Sequence, residues 1–413
     1  MQPETVIFED IGELLTLAGA HEKGARRVTE DDLSIVRDAA MIAKSGRVAW
    51  VGARKDLPRE EGAERVSLNG ATVLPAFVEP HTHLIFAGNR AEEFEWRMRG
   101  QTYQEISAKG GGILSTVRQT RAASEDELRA VAQRRADRFV DQGVTTLEIK
   151  SGYGLDVDTE LRSLRVARAI EGPRVLTTYL GPHSRSPDHP DLDAYLKVVR
   201  ERMLPKIAQE KLADRVDIYI EKGFYSIEQA RSFFKAARDL GLPISAHVEQ
   251  LSEFGGTDVA MEFQPQSVDH VVYVNGRTVG KIAGSETTAV LLPASDFYLK
   301  MRYPPARGLI DQGARVALST DFNPGTSPTQ DLSFVGVLAR IEMKMTLPEI
   351  LAAFTLGGAA ALGLMHKVGS LTVGKYCDFV TLKGGWRGLF YSVGEPLIDS
   401  VVREAEFLRG DLK

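Results

Sequence analysis

Between residues 75 and 320 the chain repeats one alternation eight times: a short apolar or β-branched run, then a helical stretch. The first run leads from Pro75 through Val78 into His81-Thr82-His83. The others cover residues 144–149, 174–180, 215–220, 243–247, 267–270, 288–292 and 315–320. Helix signals punctuate them. Ser124 with Glu127 makes a capping box, and that helix runs to Gly143 as its terminal glycine. Ser226 with Gln229 starts another that stops at Gly241, and a third spans 159–170. Eight such units predict an α/β fold, a (β/α)8 TIM-like barrel in preference to a doubly wound sheet. No G-x-G-x-x-G follows a strand. Gly110-Gly111-Gly112 lacks the lysine of a phosphate loop, so it reads as a mobile loop rather than a nucleotide cradle.

At 413 residues the chain is longer than one ordinary core fills, but a barrel absorbs most of it. We expect the barrel to take residues 73–363. Residues 1–72 and 364–413 should combine into a small β-sandwich domain, with strand signals at 5–8, 47–52 and 374–382. The net charge of −5 gives no support to nucleic-acid binding. No apolar run reaches the roughly 18 residues of a membrane span, and the first residues lack the pattern of a signal peptide. A single cysteine, Cys377, excludes a disulfide framework and a thiolate zinc cluster. These features lead us to expect a cytoplasmic homodimer that acts on a small molecule.

The polar residues on this frame form a pattern. In an extended strand the i, i+2 spacing of His81 and His83 puts both imidazoles on one face. His183 follows the third strand, His247 ends the fifth, His270 lies in the sixth and Asp321 follows the eighth. Five of the eight histidines therefore sit at strand ends; His21, His189 and His366 do not. Barrel enzymes build their sites at the C-terminal rim, where the loops converge. One histidine on a rim is usually packing; five with a carboxylate point to metal chemistry.

The best metal set is His81, His83, His247 and Asp321. Three imidazoles and a carboxylate suit one Zn2+ or Fe ion per subunit. Such an ion lowers the pKa of bound water from about 15.7 toward about 7. Asp321 could also accept a proton, and His270 could orient the nucleophile or polarise a carbonyl. Lys150 is either a carbamylated ligand of a second metal or an ion-pair partner. We expect the ion pair and a single metal.

Loop residues supply substrate candidates. Arg90 is a bidentate carboxylate clamp or a surface arginine among Glu92, Glu93 and Glu95. Tyr153 lies between two glycines that let a loop approach a ligand. His183 and Gln250 offer hydrogen bonds on the same rim, to substrate or to nearby backbone. The segment Asn323-Pro324-Gly325-Thr326 is an anion pocket made of backbone amides, or an ordinary turn.

At these residues the sequence resembles the amidohydrolase superfamily, and within it the branch that opens the ring of 4-imidazolone-5-propanoate. The resemblance covers about residues 73 to 330. It is carried by the stretch from Phe77 through His81-Thr82-His83 to Gly88, by Gly110-Gly111-Gly112-Ile113 and by Lys150-Ser151-Gly152-Tyr153-Gly154-Leu155. Tyr303-Pro304-Pro305-Ala306-Arg307 and Thr320-Asp321-Phe322-Asn323-Pro324-Gly325-Thr326 complete it. The resemblance implies hydrolysis to N-formimidoyl-L-glutamate on a mononuclear zinc or iron site, the third step of histidine degradation. It assigns the metal to His81, His83, His247 and Asp321. Substrate contacts carry over to Arg90, Tyr153, His183, Gln250, Asn323, Gly325 and Thr326. Some relatives carry glutamate where this chain has Gln250. Proton transfer then falls to His270 and Asp321, with Glu249 an open alternative because strand parity places it on the face of His247. The rival readings are a nucleobase deaminase with the same metal set and a metal-free scaffold.

Overall fold

A computed structural model describes residues 4–101, 105–106, 110–189 and 191–410. All eight expected barrel strands are present: Phe77–Glu79, Val144–Lys150, Arg174–Tyr179, the broken fourth, Ser245–Val248, Ser267–His270, Thr288–Leu291 and Arg315–Leu318. The fourth is split into Arg215–Val216 and Tyr219–Ile220, with Asp217 in the gap. Neighbours pair in parallel from first to eighth. A Thr82–Phe322 bridge joins first to last, and the His83 amide donates to the Phe322 carbonyl at 2.9 Å. The barrel is closed. Its ends therefore bring His81, His83 and Asp321 side by side.

The capping boxes form as read. The Ser124 hydroxyl accepts from the Glu127 amide, and Glu127 reaches back to the Ser124 amide at 2.8 Å. Ser226 and Gln229 do the same. Each such cap is worth about 1 kcal/mol. The helices end where glycines turn the chain, Gly143 at φ 91° and Gly241 at φ 72°.

The two termini do meet, but the expected sandwich is not confirmed. Their strands lie in one mixed sheet of eight, along Glu406–Arg409, Ile398–Arg403, Phe379–Leu382, Thr72–Pro75, Thr5–Leu15, Ile35–Lys44 and Arg47–Ala53. Glu64–Ser67 pairs beside Thr5–Leu15. The long strand Thr5–Leu15 can hold three partners because its register shifts between Phe8 and Ile11. Phe8, Leu14, Met41, Val73, Cys377 and Phe379 form a core separate from that of the barrel. The Phe8 and Phe379 rings meet edge to face, 4.9 Å apart. No helix of the described residues is long and apolar enough to cross a membrane.

Lys375, beside this sheet, is buried without a carboxylate partner among the described residues. Its Nζ lies 3.2 Å from the Val368 carbonyl and 3.3 Å from His21 Nδ1, and burial holds its pKa down at about 7. Because this is below the ordinary value near 10.5, the unfolded chain takes up its proton first as pH falls. Stability should therefore decline between about pH 10 and pH 7. Lys375→Met is expected to be more stable than its parent at pH 7, with the gap closing as pH approaches 10. Urea unfolding at several pH values checks this, and a gap that does not change with pH would refute it.

Candidate active site

The first strand delivers His81 and His83 to the C-terminal rim, the fifth His247, and the turn after the eighth Asp321. Ligand atoms of the three imidazoles lie within 4.8 Å of one another, and all three side chains are buried. His247 Nε2 is 3.4 Å from His83 Nε2. Asp321 Oδ1 lies 3.4 Å from Nε2 of both His81 and His83. The four predicted ligands are together.

What aims two of these rings is a layer of carboxylates beneath them. His81 Nδ1 is 2.7 Å from Asp269 Oδ2, and His247 Nδ1 is 3.0 Å from Asp217 Oδ1. A carboxylate only accepts, so each Nδ1 carries a proton and Nε2 is the ring atom turned inward. The buried His81 Nε2 has no hydrogen-bond partner among the described residues. Lys150 ties the layer together. Its Nζ contacts Glu148 at 2.9 Å and Asp217 at 3.1 Å, and Asp269 lies at 3.8 Å. Arg215 adds a second cation 3.4 Å from Glu148. Lys150 is thus an ion-pair partner, and Glu148 and Asp217 outweigh burial to keep its ammonium charged.

The charges of this cluster fit a divalent cation. Asp217, Asp269, Asp321 and Glu148 share this buried cluster with Lys150 and Arg215, four carboxylates against two cations, an excess of negative charge before any imidazole takes a proton. Glu79, close by, is pushed well up by burial and does not add to them. Burial and Lys150 press the His81 pKa down, yet Asp269 and Asp321 lift it to about 9. The pocket thus favours positive charge at this point. Burial pushes the Asp321 carboxyl up, but His81 and His83 outweigh it and hold it well below the ordinary range. Burial keeps His270 and His183 uncharged. Both Asp321 (φ 52°) and His270 (φ 76°) sit in the left-handed region, a strained backbone of the sort that clusters at functional sites.

Above the cluster opens a cavity of about 310 Å³. Arg90, Tyr153, His183, Gln250, His270, Asn323 and Thr326 all line it, as do the apolar side chains of Ile113, Phe224 and Leu299. A larger cleft of about 450 Å³, bordered by residues 328–333 and 394–398, contains none of the histidines. His183 stacks on His83 with ring centroids 5.0 Å apart, and its Nδ1 is 3.0 Å from the Gly152 carbonyl. The glycines beside Tyr153 bond inward: the Gly152 and Gly154 amides donate to Glu160 at 2.9 and 2.8 Å.

Two of the open readings need correction. The amides of Gly325 and Thr326 do not form an anion pocket, because Asn323 Oδ1 already accepts both, at 2.9 and 2.7 Å. Gly325 instead makes room: a Cβ there would stand 2.1 Å from Arg90 Nη1. Glu249 is not a spare base. At φ 47° it leaves the strand, and its carboxylate accepts from the amides of Gly255, Gly256 and Thr257. For Arg90 one edge of the fork is taken, since Nε and Nη2 donate to Glu93. The Nη1/Nη2 edge remains.

Asp217, Asp269, Glu148 and Arg215 were not singled out from the sequence. The signal for the first two was there: each aspartate lies on a barrel strand beside one that carries a rim histidine. Glu221, at the end of the fourth strand, is spent on the Leu251 amide at 2.8 Å and on Ser252.

The profile of the Amidohydrolase family matches residues 72–401. The chain is 48% identical to an imidazolonepropionase of Bdellovibrio bacteriovorus, over 99% of this chain and 97% of that one. It is 43% identical to one of Pseudomonas entomophila, over 92% of this chain and 96% of that one. Among solved structures it is similar in fold to a guanine deaminase from C. acetobutylicum with guanine bound. That likeness has a TM-score of 0.73 and 16% identity, and covers 98% of this chain and 99% of that one. An adenosine deaminase from Xanthomonas campestris with bound zinc gives 0.72, at 16% identity and with 97% and 92% coverage. The chain belongs to the amidohydrolase family, and within it to the imidazolonepropionases.

Proposed function

We infer that the 310 Å³ cavity carries out the hydrolysis of 4-imidazolone-5-propanoate to N-formimidoyl-L-glutamate. The observation that carries this reading is near-full-length identity to imidazolonepropionases in a chain whose rim histidines and Asp321 converge under one cavity. His81, His83, His247 and Asp321 would hold one zinc or iron ion. When bound there, the ion supplies an activated water and polarises the ring carbonyl.

The chain's own residues account for the remaining work. Asp321 takes the proton of the attacking water and passes it to the ring nitrogen as the carbonyl–nitrogen bond breaks. Uncharged His270, whose Nδ1 has no partner among the described residues, hydrogen-bonds the carbonyl oxygen as negative charge develops on it. Gln250 cannot act as a base, so its place on the wall suits hydrogen bonding to the ring. The Nη1/Nη2 edge of Arg90 takes the propionate arm, and Tyr153 and His183 confine the ring. The lone cysteine, Cys377, is buried and free, in keeping with a reducing cytoplasmic setting.

A nucleobase deaminase would use the same histidine cluster but has no anionic arm to bind. Loss of imidazolonepropionate absorbance, set against ammonia release from guanine and cytosine, separates the two. Ammonia without ring opening would overturn the proposal. Arg90→Ala is expected to raise KM about 10²-fold with a much smaller change in kcat. A large loss of kcat at unchanged KM would contradict the clamp.

A further inference from the structure

Glu93 was expected only as one of three acidic residues crowding Arg90, yet its side chain is buried, 8% exposed, on the helix Ala91–Met98. Its Oε2 accepts from Arg90 Nε at 3.0 Å and from the Gly112 amide at 2.7 Å, and its Oε1 takes Arg90 Nη2. The Gly112 amide opens the helix Ile113–Ala122, whose first residue lines the same cavity as Arg90. Gly111 is the reason the two segments can meet. A Cβ there would stand 2.6 Å from Ile106 Cγ2 and 3.2 Å from Glu93 Oε2. The triple glycine, which matched no phosphate loop, therefore has a physical use: it lets a loop close over a buried carboxylate.

We propose that Glu93 is a positioning residue for the substrate's carboxylate arm: it fixes the inner edge of Arg90 so that only the outer edge faces the cavity, and through Gly112 it ties that edge to the wall carrying Ile113. A free arginine side chain loses considerable rotamer freedom when it binds an anion. Here the order is imposed beforehand by two hydrogen bonds from a partner that is itself held by a third. The second face of the guanidinium rests on Gly325, so the outer edge points in one direction only. This inference rests on the reading of Arg90 as the arm contact.

The opposite expectation is simple to state. Glu93 is an anion close to where a carboxylate would bind, and on charge alone its removal should improve binding. Positioning predicts the reverse. In steady-state assays with 4-imidazolone-5-propanoate, Glu93→Gln is expected to raise KM at least about 10-fold while kcat changes less than about 3-fold. Glu93→Asp, which keeps the charge but shortens the reach, should fall between. In the Arg90→Ala background, Glu93→Gln should add little, because the two act as one unit.

A KM that falls or stays constant in Glu93→Gln overturns the role, as does a full additive loss in the double variant. A parent chain that turns over the substrate while Glu93→Gln binds it equally well leaves the substrate reading standing. A parent chain without turnover overturns both. Amide hydrogen exchange guards against a misfolded variant. Exchange at Gly112 should accelerate in Glu93→Gln, while the barrel strands keep the parent's protection.

Discussion

Asp321→Asn is expected to lower kcat by about 10²–10⁴-fold while KM for the substrate changes little. The choice of asparagine follows from the backbone. Asp321 sits at φ 52°, a conformation that asparagine adopts far more readily than alanine, so the variant tests chemistry rather than strain. The amide keeps an oxygen near the Nε2 atoms of His81 and His83 but cannot accept the water proton. Metal content should therefore persist in part while turnover collapses. Initial rates, with metal analysis on the same preparation, check both halves. A kcat within tenfold of the parent at full metal content would remove Asp321 from proton transfer.

The second large effect is expected on metal removal. Dialysis against a chelator should lower turnover by more than about 10³-fold, with recovery at one equivalent of zinc or iron per chain. An excess of buried negative charge, offset only in part by a proton on His81, should be left around Asp217, Asp269 and Asp321 in the stripped protein. Thermal stability should fall with activity. An ion present at a thousand times its dissociation constant contributes about 4 kcal/mol to the folded state. Recovery that needs two equivalents would contradict the mononuclear site. It would also contradict the ion pairing of Lys150, which occupies the carboxylates a second ion would need.

Much of this was legible in the residue order. The alternation of runs placed all eight strands, and the capping boxes at Ser124 and Ser226 began their helices where expected. Side-chain parity brought His81 and His83 to one face. Parity also misled. It placed Glu249 with His247, but the chain leaves the strand at φ 47° and sends that carboxylate to a neighbouring helix start. Asp269 was passed over beside His270, whose φ of 76° breaks the strand alternation so that both neighbours serve the site. The sandwich expected of the termini is not confirmed, and the register shift and forked pairing of Thr5–Leu15 leave no mark on composition.

Element type, strand ends and the supply of imidazoles were therefore decided by the residue order itself, since periodicity and capping act over a few residues. Which ring nitrogen faces inward was decided only in three dimensions. Asp217 orients His247 from 30 residues away, and Asp269 orients His81 from 188 residues away. No local rule reaches across such spans. A hydrogen bond of under 3.5 Å depends on where the closed barrel sets two strands, and that position belongs to the packing of the whole chain.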